Sequence, residues 1–178
     1  MSKEKILIHA CCATCAGYVL EQLSADFTPV IYYCNPNIHP EEEYVLRSSE
    51  LQKYAAAQNI SFIEDPYDPQ QWLAQVKGLE NEPEKGFRCD RCFALRLQKT
   101  AAYASRNNIS IFTTTLTISP HKSSQHILEI GQKIADENCL KFLARNFKKQ
   151  DGYKKTMEIA RSQNFYRQKY CGCVYSVR

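Results

Sequence analysis

The sequence predicts an α/β fold: a single-domain, open, mostly parallel sheet of about five strands with helices on both faces. Two observations carry this. Short β-branched or aromatic runs alternate with helical stretches along the 178 residues, the pattern that builds parallel sheets with crossover helices. Apolar residues make up 44% and charged residues 24%, a globular composition with enough apolar material for one core. No repeat or low-complexity linker divides the chain, so one domain over 1–178 is expected.

The elements follow in order. "KILIHA" reads as a buried first strand, and "GYVLEQLSA" as a helix in which Tyr18, Leu20 and Leu23 share a face. "PVIYYCN" is a second strand by its β-branched and aromatic content. "HPEEEYVLRSSELQKYAAAQ" opens a helix, with Pro40 suited to the first turn and three glutamates favouring its positive end. "ISFIED" is a third strand and "PQQWLAQV" a short helix. The polar "KGLENEPEKGFR" reads as a loop, and "CDRCFALRLQKTAAYASRN" aligns Phe93, Leu97, Ala101 and Ala104 on one helical stripe. "SIFTTTL" is a fourth strand, and "SSQHILEIGQKIADE" is helical through Ile127, Ile130 and Ile134. "KFLARNF" is a fifth strand, followed by the basic helix "GYKKTMEIARSQ".

With strand order 3-2-1-4-5, strands one and four flank the crevice where such sheets bind ligands. "HACCATC" follows strand one, "CNPNIHP" strand two and "TLTISPHKS" strand four. No glycine-rich fingerprint occupies the first of these turns, which argues against a bound nucleotide.

No apolar run approaches the ~20 residues of a membrane span. The opening "ILI" is far short of the ~7–15 apolar residues of a secretory signal. A cytoplasmic protein without membrane attachment is therefore expected, and there nine cysteines are unusual. Seven fall into three tight groups: Cys11, Cys12 and Cys15; Cys89 and Cys92; Cys171 and Cys173. Cys34 and Cys139 stand alone and read as core residues.

The spacing of "RCDRC" lets two sulfurs chelate one metal or one cluster. Its place at a helix start, with Arg88 and Arg91 adjacent, is expected to lower the thiol pKa values. A thioredoxin-like dithiol, a closed four-cysteine zinc site and an iron–sulfur cluster all remain open on the residues alone. "YCGC" can close only a small, strained disulfide ring, which suits a labile redox couple, or it can hold a second metal. Residues 141–178 carry ten Lys and Arg against two Asp and Glu, which hints at a phosphate-rich partner. His39 and His121 read as turn or surface residues, and Lys122 before a helix start fits anion binding.

Five stretches, "HACCATC", "YYCNPNIHPEEEYVLR", "GFRCDRCFALRLQKTAAYA", "TTTLTISPHKS" and "NFKKQDGYKKTMEIARSQNFYRQKYCGCVYS", together resemble the cobalamin-independent epoxyqueuosine reductases, the QueH family. The resemblance covers nearly the whole chain. Thr14 departs from the proline of the family pattern, and Cys15 stands where the family has cysteine or aspartate. The resemblance implies a fold related to nucleotide-binding (HUP-like) hydrolases. It implies two-electron removal of the epoxide oxygen of epoxyqueuosine at the tRNA wobble position, the last step of queuosine formation. It further implies a [4Fe–4S] cluster, a neighbouring mononuclear iron or redox-active cysteines, and no cobalamin. The partners implied are a tRNA anticodon stem-loop and an unidentified electron donor.

On that basis Cys11, Cys12, Cys89 and Cys92 are assigned to the cluster. Cys171 and Cys173 form the redox pair or, with Cys15, hold a second iron. Arg47, Arg88, Lys122 and Arg167 are expected at phosphates, and Asn35 and Asn37 near substrate. Tyr32, Tyr44 and Tyr166 are stacking candidates. A noncatalytic iron–sulfur or zinc sensor that binds RNA is the alternative; it predicts a closed metal site, whereas an enzyme predicts an open one.

Overall fold

The computed structural model describes residues 3–176. Five parallel strands, β1 (Lys5–His9), β2 (Thr28–Tyr33), β3 (Ser61–Glu64), β4 (Ile111–Thr114) and β5 (Lys141–Phe142), lie in the order β3-β2-β1-β4-β5. This is the expected order, with β1 and β4 adjacent at its reversal. The helices are α1 (Ala13–Ser24), α2 (Glu41–Ala57), α3 (Pro69–Val76), α4 (Phe87–Arg106), α5 (Ser124–Glu137) and α6 (Gly152–Ser162).

The central strands are apolar at successive positions because both sheet faces are covered. Ile6, Ile8, Ile31 and Tyr33 point to the face packed by α1, α2 and α6. Leu7, Val30, Tyr32 and Phe112 point to the face packed by α4 and α5. The predicted α4 stripe of Phe93, Leu97, Ala101 and Ala104 is buried throughout. On α5, Ile127 and Ile134 are buried, whereas Ile130 is only half-buried. Burying each large aliphatic side chain of β1 contributes about 1.5–3 kcal/mol.

Two elements differ from the sequence reading. "TTTL" leaves the sheet early because the Thr114 hydroxyl accepts from the Leu116 N–H at 3.2 Å, turning Thr115–Ile118 into a 3-10 turn. The fifth strand stops at Phe142, since Thr113 and Thr117 hydroxyls donate to the carbonyls of Leu143 and Arg145 in place of a continued ladder. The first departure carries the segment from Ile118 to Lys122 into the wall of the crevice. Cys139 is a correction: it is exposed, at φ 53° just past α5, and no part of the core. Cys34 is buried as expected. Among the described residues no helix is long and apolar enough to cross a membrane.

Candidate metal centre and substrate cavity

β1 ends at His9, and the chain turns into α1 through Cys11 and Cys12. Cys12 caps this helix: its sulfur accepts the Cys15 N–H at 3.3 Å, a role usually taken by an oxygen. One helical turn therefore brings the sulfurs of Cys11, Cys12 and Cys15 within 4.8 Å of one another. Cys11 and Cys12 are buried and Cys15 is half-buried. The hydrogen bonds from Cys12 and Cys15 pull the Cys11 thiol well below its ordinary pKa. Cys12 in turn is pushed up to about 12 by the same contact with Cys11. One thiolate shared by two thiols is the metal-free form of a site built for deprotonated sulfur.

His9, the remaining titratable residue of this turn, is not a ligand candidate. It is fully buried, and burial pushes its pKa down to about 3. Nε2 faces the Cys34 carbonyl at 3.1 Å and so carries the proton, while Nδ1 accepts from the Thr114 hydroxyl at 2.9 Å. His9 ties β1 to β2 and β4.

Cys89 and Cys92 lie in the first two turns of α4. Cys89 borders the apolar cluster that contains Cys11 and Cys12, and the thiols that act on it electrostatically are Cys92 and Cys171, whereas Cys92 packs with Cys173 and Trp72. The backbone N–H of Lys85 donates to Cys89 sulfur at 3.3 Å. The expected lowering of the Cys89 pKa does not occur: burial is the largest influence and raises it. Arg88 offsets this little, because one of its terminal nitrogens is spent on the carbonyls of Leu79, Glu80 and Glu82.

The third group reaches the others from the far end of the chain. Gly172, at φ 109°, makes the turn between Cys171 and Cys173, and a Cβ there would meet Ile38 at 2.8 Å. The turn rests on the loop after β2: His39 N–H donates to the Gly172 carbonyl at 2.8 Å, and the Tyr170 hydroxyl donates to the His39 carbonyl. Arg47 completes the attachment. Its guanidinium is 1% exposed, pairs with Glu43 at 2.6 Å and donates to the carbonyls of Tyr170 and Cys171. Within the pair, the hydrogen bond from Cys173 brings Cys171 down to about 5, and Cys173 is raised by the same bond and by burial.

A cavity of about 640 Å³ lies between these groups, within the range of small-molecule sites. Cys15, Cys89, Cys92, Cys171 and Cys173 line it, with Trp72 in its wall. Lys85, Arg88, Arg96, Lys122, Arg167 and Lys169 also line it, giving the wall six cations beside one carboxylate, Glu84.

The structure sorts the other predicted residues. Asn37, Arg88, Lys122, Arg167 and Tyr166 reach the cavity. Arg47 is placed as an internal clamp, with no guanidinium surface for phosphate. Asn35 is buried, bonded to the Ala10 carbonyl at 2.9 Å and to Arg96 at 2.6 Å. Tyr32 is buried under Tyr103 with its hydroxyl on Asp65, and Tyr44 is buried against Tyr67. Neither ring is open to a base.

Sequence reasoning missed Arg96 and Gln168. Arg96 is buried between Cys92 sulfur, at 3.8 Å, and Asn35; its signal was its place one helical turn after Cys92. Gln168 donates to Cys12 sulfur at 3.3 Å, and nothing in its sequence context announces this.

Clustered thiols at the carboxyl ends of a parallel sheet, facing an open cation-lined cavity, define an α/β oxidoreductase with a metal-competent thiol site. A family model described as epoxyqueuosine reductase QueH matches residues 6–178. An epoxyqueuosine reductase QueH of Acinetobacter baylyi is 41% identical over 98% of this chain and 81% of that protein. Its counterpart in Histophilus somni is 43% identical over 98% of this chain and 72% of its own length, and that of Streptococcus pyogenes 41% over 99% and 71%. The chain belongs to the epoxyqueuosine reductase QueH family.

Proposed function

We propose that this protein is a cytoplasmic, single-domain epoxyqueuosine reductase that acts on the wobble nucleotide of a tRNA anticodon stem-loop. The observation that carries the reading is the convergence of three separate cysteine motifs around one open cavity with a cationic lining. A closed site, as a noncatalytic sensor needs, would leave no room beside the thiols for a nucleobase.

The reaction adds two electrons and two protons to the epoxide, breaks both C–O bonds, and releases water and an alkene. The thiol donor set, with three sulfurs within 4.8 Å and the two α4 cysteines lining the same cavity, fits iron bound as a [4Fe–4S] cluster. Such a cluster supplies single electrons at low potential. Cys11, Cys12, Cys89 and Cys92 are its proposed ligands, with a second iron or a redox role for Cys15, Cys171 and Cys173. A second partition follows from the grouping of Cys15 with Cys11 and Cys12: these three hold one metal group, and Cys89, Cys92, Cys171 and Cys173 face each other across the cavity.

The chain's own residues then divide the work. Cys171 and Cys173 as a thiolate–thiol pair give up two electrons and one proton on closing to a disulfide, the second proton comes from solvent, and an external donor reopens the disulfide. Cys171 is the thiolate of the pair and Cys173 keeps its proton, so one can attack while the other delivers acid. Lys122, Arg167 and Lys169 contact RNA phosphates, and Tyr166, its hydroxyl on Glu43, is the stacking surface for the displaced base. The relationship to HUP-like hydrolases rests on strand order.

The test is direct. An anticodon stem-loop bearing epoxyqueuosine is incubated anaerobically with iron-loaded protein and reductant, then digested to nucleosides. Conversion gives a nucleoside lighter by one oxygen. Intact epoxyqueuosine despite RNA binding and a reducible metal centre refutes the reading.

A further inference from the structure

Gln168 lies in the irregular segment between α6 and the "YCGC" turn. The backbone there is pinned from two sides. The Thr14 hydroxyl donates to the Tyr166 carbonyl at 3.0 Å, and the Tyr166 N–H donates to Glu50 at 2.8 Å. The Tyr166 hydroxyl adds a bond to Glu43 at 3.0 Å. So held, the segment lays the Gln168 amide over the first thiol group, with Nε2 3.3 Å from Cys12 sulfur and 3.9 Å from Cys15 sulfur.

The other end of the amide makes this placement informative. Oε1 is buried and has no hydrogen-bond partner among the described residues. A buried acceptor left unpaired costs about 1–3 kcal/mol, and a glutamine at a cavity wall is long enough to avoid that by turning outward. Flipping the amide would put its oxygen against the sulfurs, which suits thiols but not thiolates, since a thiolate has no proton to donate. The nitrogen-to-sulfur orientation is the one that deprotonated, metal-bound sulfur needs.

We propose that Gln168 is a positioning residue of the metal centre: its amide nitrogen hydrogen-bonds the Cys12 and Cys15 thiolates and raises the reduction potential of the group they hold. This rests on the reading of these cysteines as metal ligands. Hydrogen bonds to ligating sulfur withdraw charge and stabilise the reduced state, one of the recognised controls on iron–sulfur potentials.

The experiment compares anaerobically iron-loaded wild type with Gln168→Met, which keeps length but has no N–H, and Gln168→Ala, which removes the side chain. Iron and sulfide are assayed, and each protein is titrated with dithionite against mediator dyes while the absorption band bleaches. Both variants are expected to keep their iron and titrate at lower potential. At fixed poise the oxidised-to-reduced ratio should rise about tenfold, ~59 mV for a one-electron couple. An unchanged midpoint in both variants, with iron retained, makes Gln168 a packing residue and overturns the proposal. Folded variants that lose all iron overturn it as well, because retention and not tuning would then be the role. Iron-free wild type overturns the metal reading of the cysteines, and the proposal with it.

Discussion

The first and third cysteine groups solve opposite problems. Cys11, Cys12 and Cys15 sit where β1 meets α1, and one helical turn places them; Cys12 even serves as that helix's cap. Cys171 and Cys173 lie outside helix and sheet, on a turn that needs Gly172 at positive φ and is held from outside by Arg47, His39 and Tyr170. The first group is positioned by local structure and suits a fixed metal. The third is positioned by tertiary contacts alone and suits a pair that opens and closes.

The largest effects should come from the rigid group and its α4 neighbour. Cys12→Ala or Cys89→Ala is expected to lose the bulk of the bound iron and all turnover, read by metal analysis and nucleoside conversion. Cys15→Ala separates the two ligand partitions: near-complete iron loss places Cys15 with Cys11 and Cys12 as a ligand, and retention of most iron favours the set of Cys11, Cys12, Cys89 and Cys92.

Next comes the clamp on the third group. Arg47→Met leaves Glu43 without its cation and two carbonyls without a donor. Breaking a buried pair of this kind costs about 3–5 kcal/mol, measurable as a lower urea midpoint. Lys122→Ala should have a smaller effect. RNA affinity falls several-fold, and the slope of log affinity against log salt drops by about one, with the absorption spectrum unchanged. The smallest is a pH signature. In metal-free protein the Cys171 pKa lies near 5, below the ordinary thiol value, so the thiolate persists above that pH. Alkylation of Cys171, followed by peptide mass, should rise through pH 5 and be level by pH 7.

The five strands and all six helices were legible because apolar spacing and turn residues report local structure, whereas the strand order was taken as the common one for such sheets and matches it. The three cysteine groups were legible because their members adjoin in sequence. What the sequence hid was mostly long-range. Arg47 looks like a surface base on a helix rich in glutamate, yet it is buried by a turn more than a hundred residues away. Arg88 looks like an activating cation, yet its nitrogen is consumed by a loop that no periodicity predicts. The pairing of Cys92 with Cys173 needs the docked carboxyl-terminal segment, and no spacing rule reaches that far.

The division of labour itself is tested by pairing iron content with turnover in Cys171→Ser and Cys173→Ser. Both variants are prepared anaerobically and assayed on the epoxyqueuosine stem-loop. Most iron retained with no conversion is the predicted result. Loss of all iron from either variant, or conversion at the wild-type rate, contradicts the account.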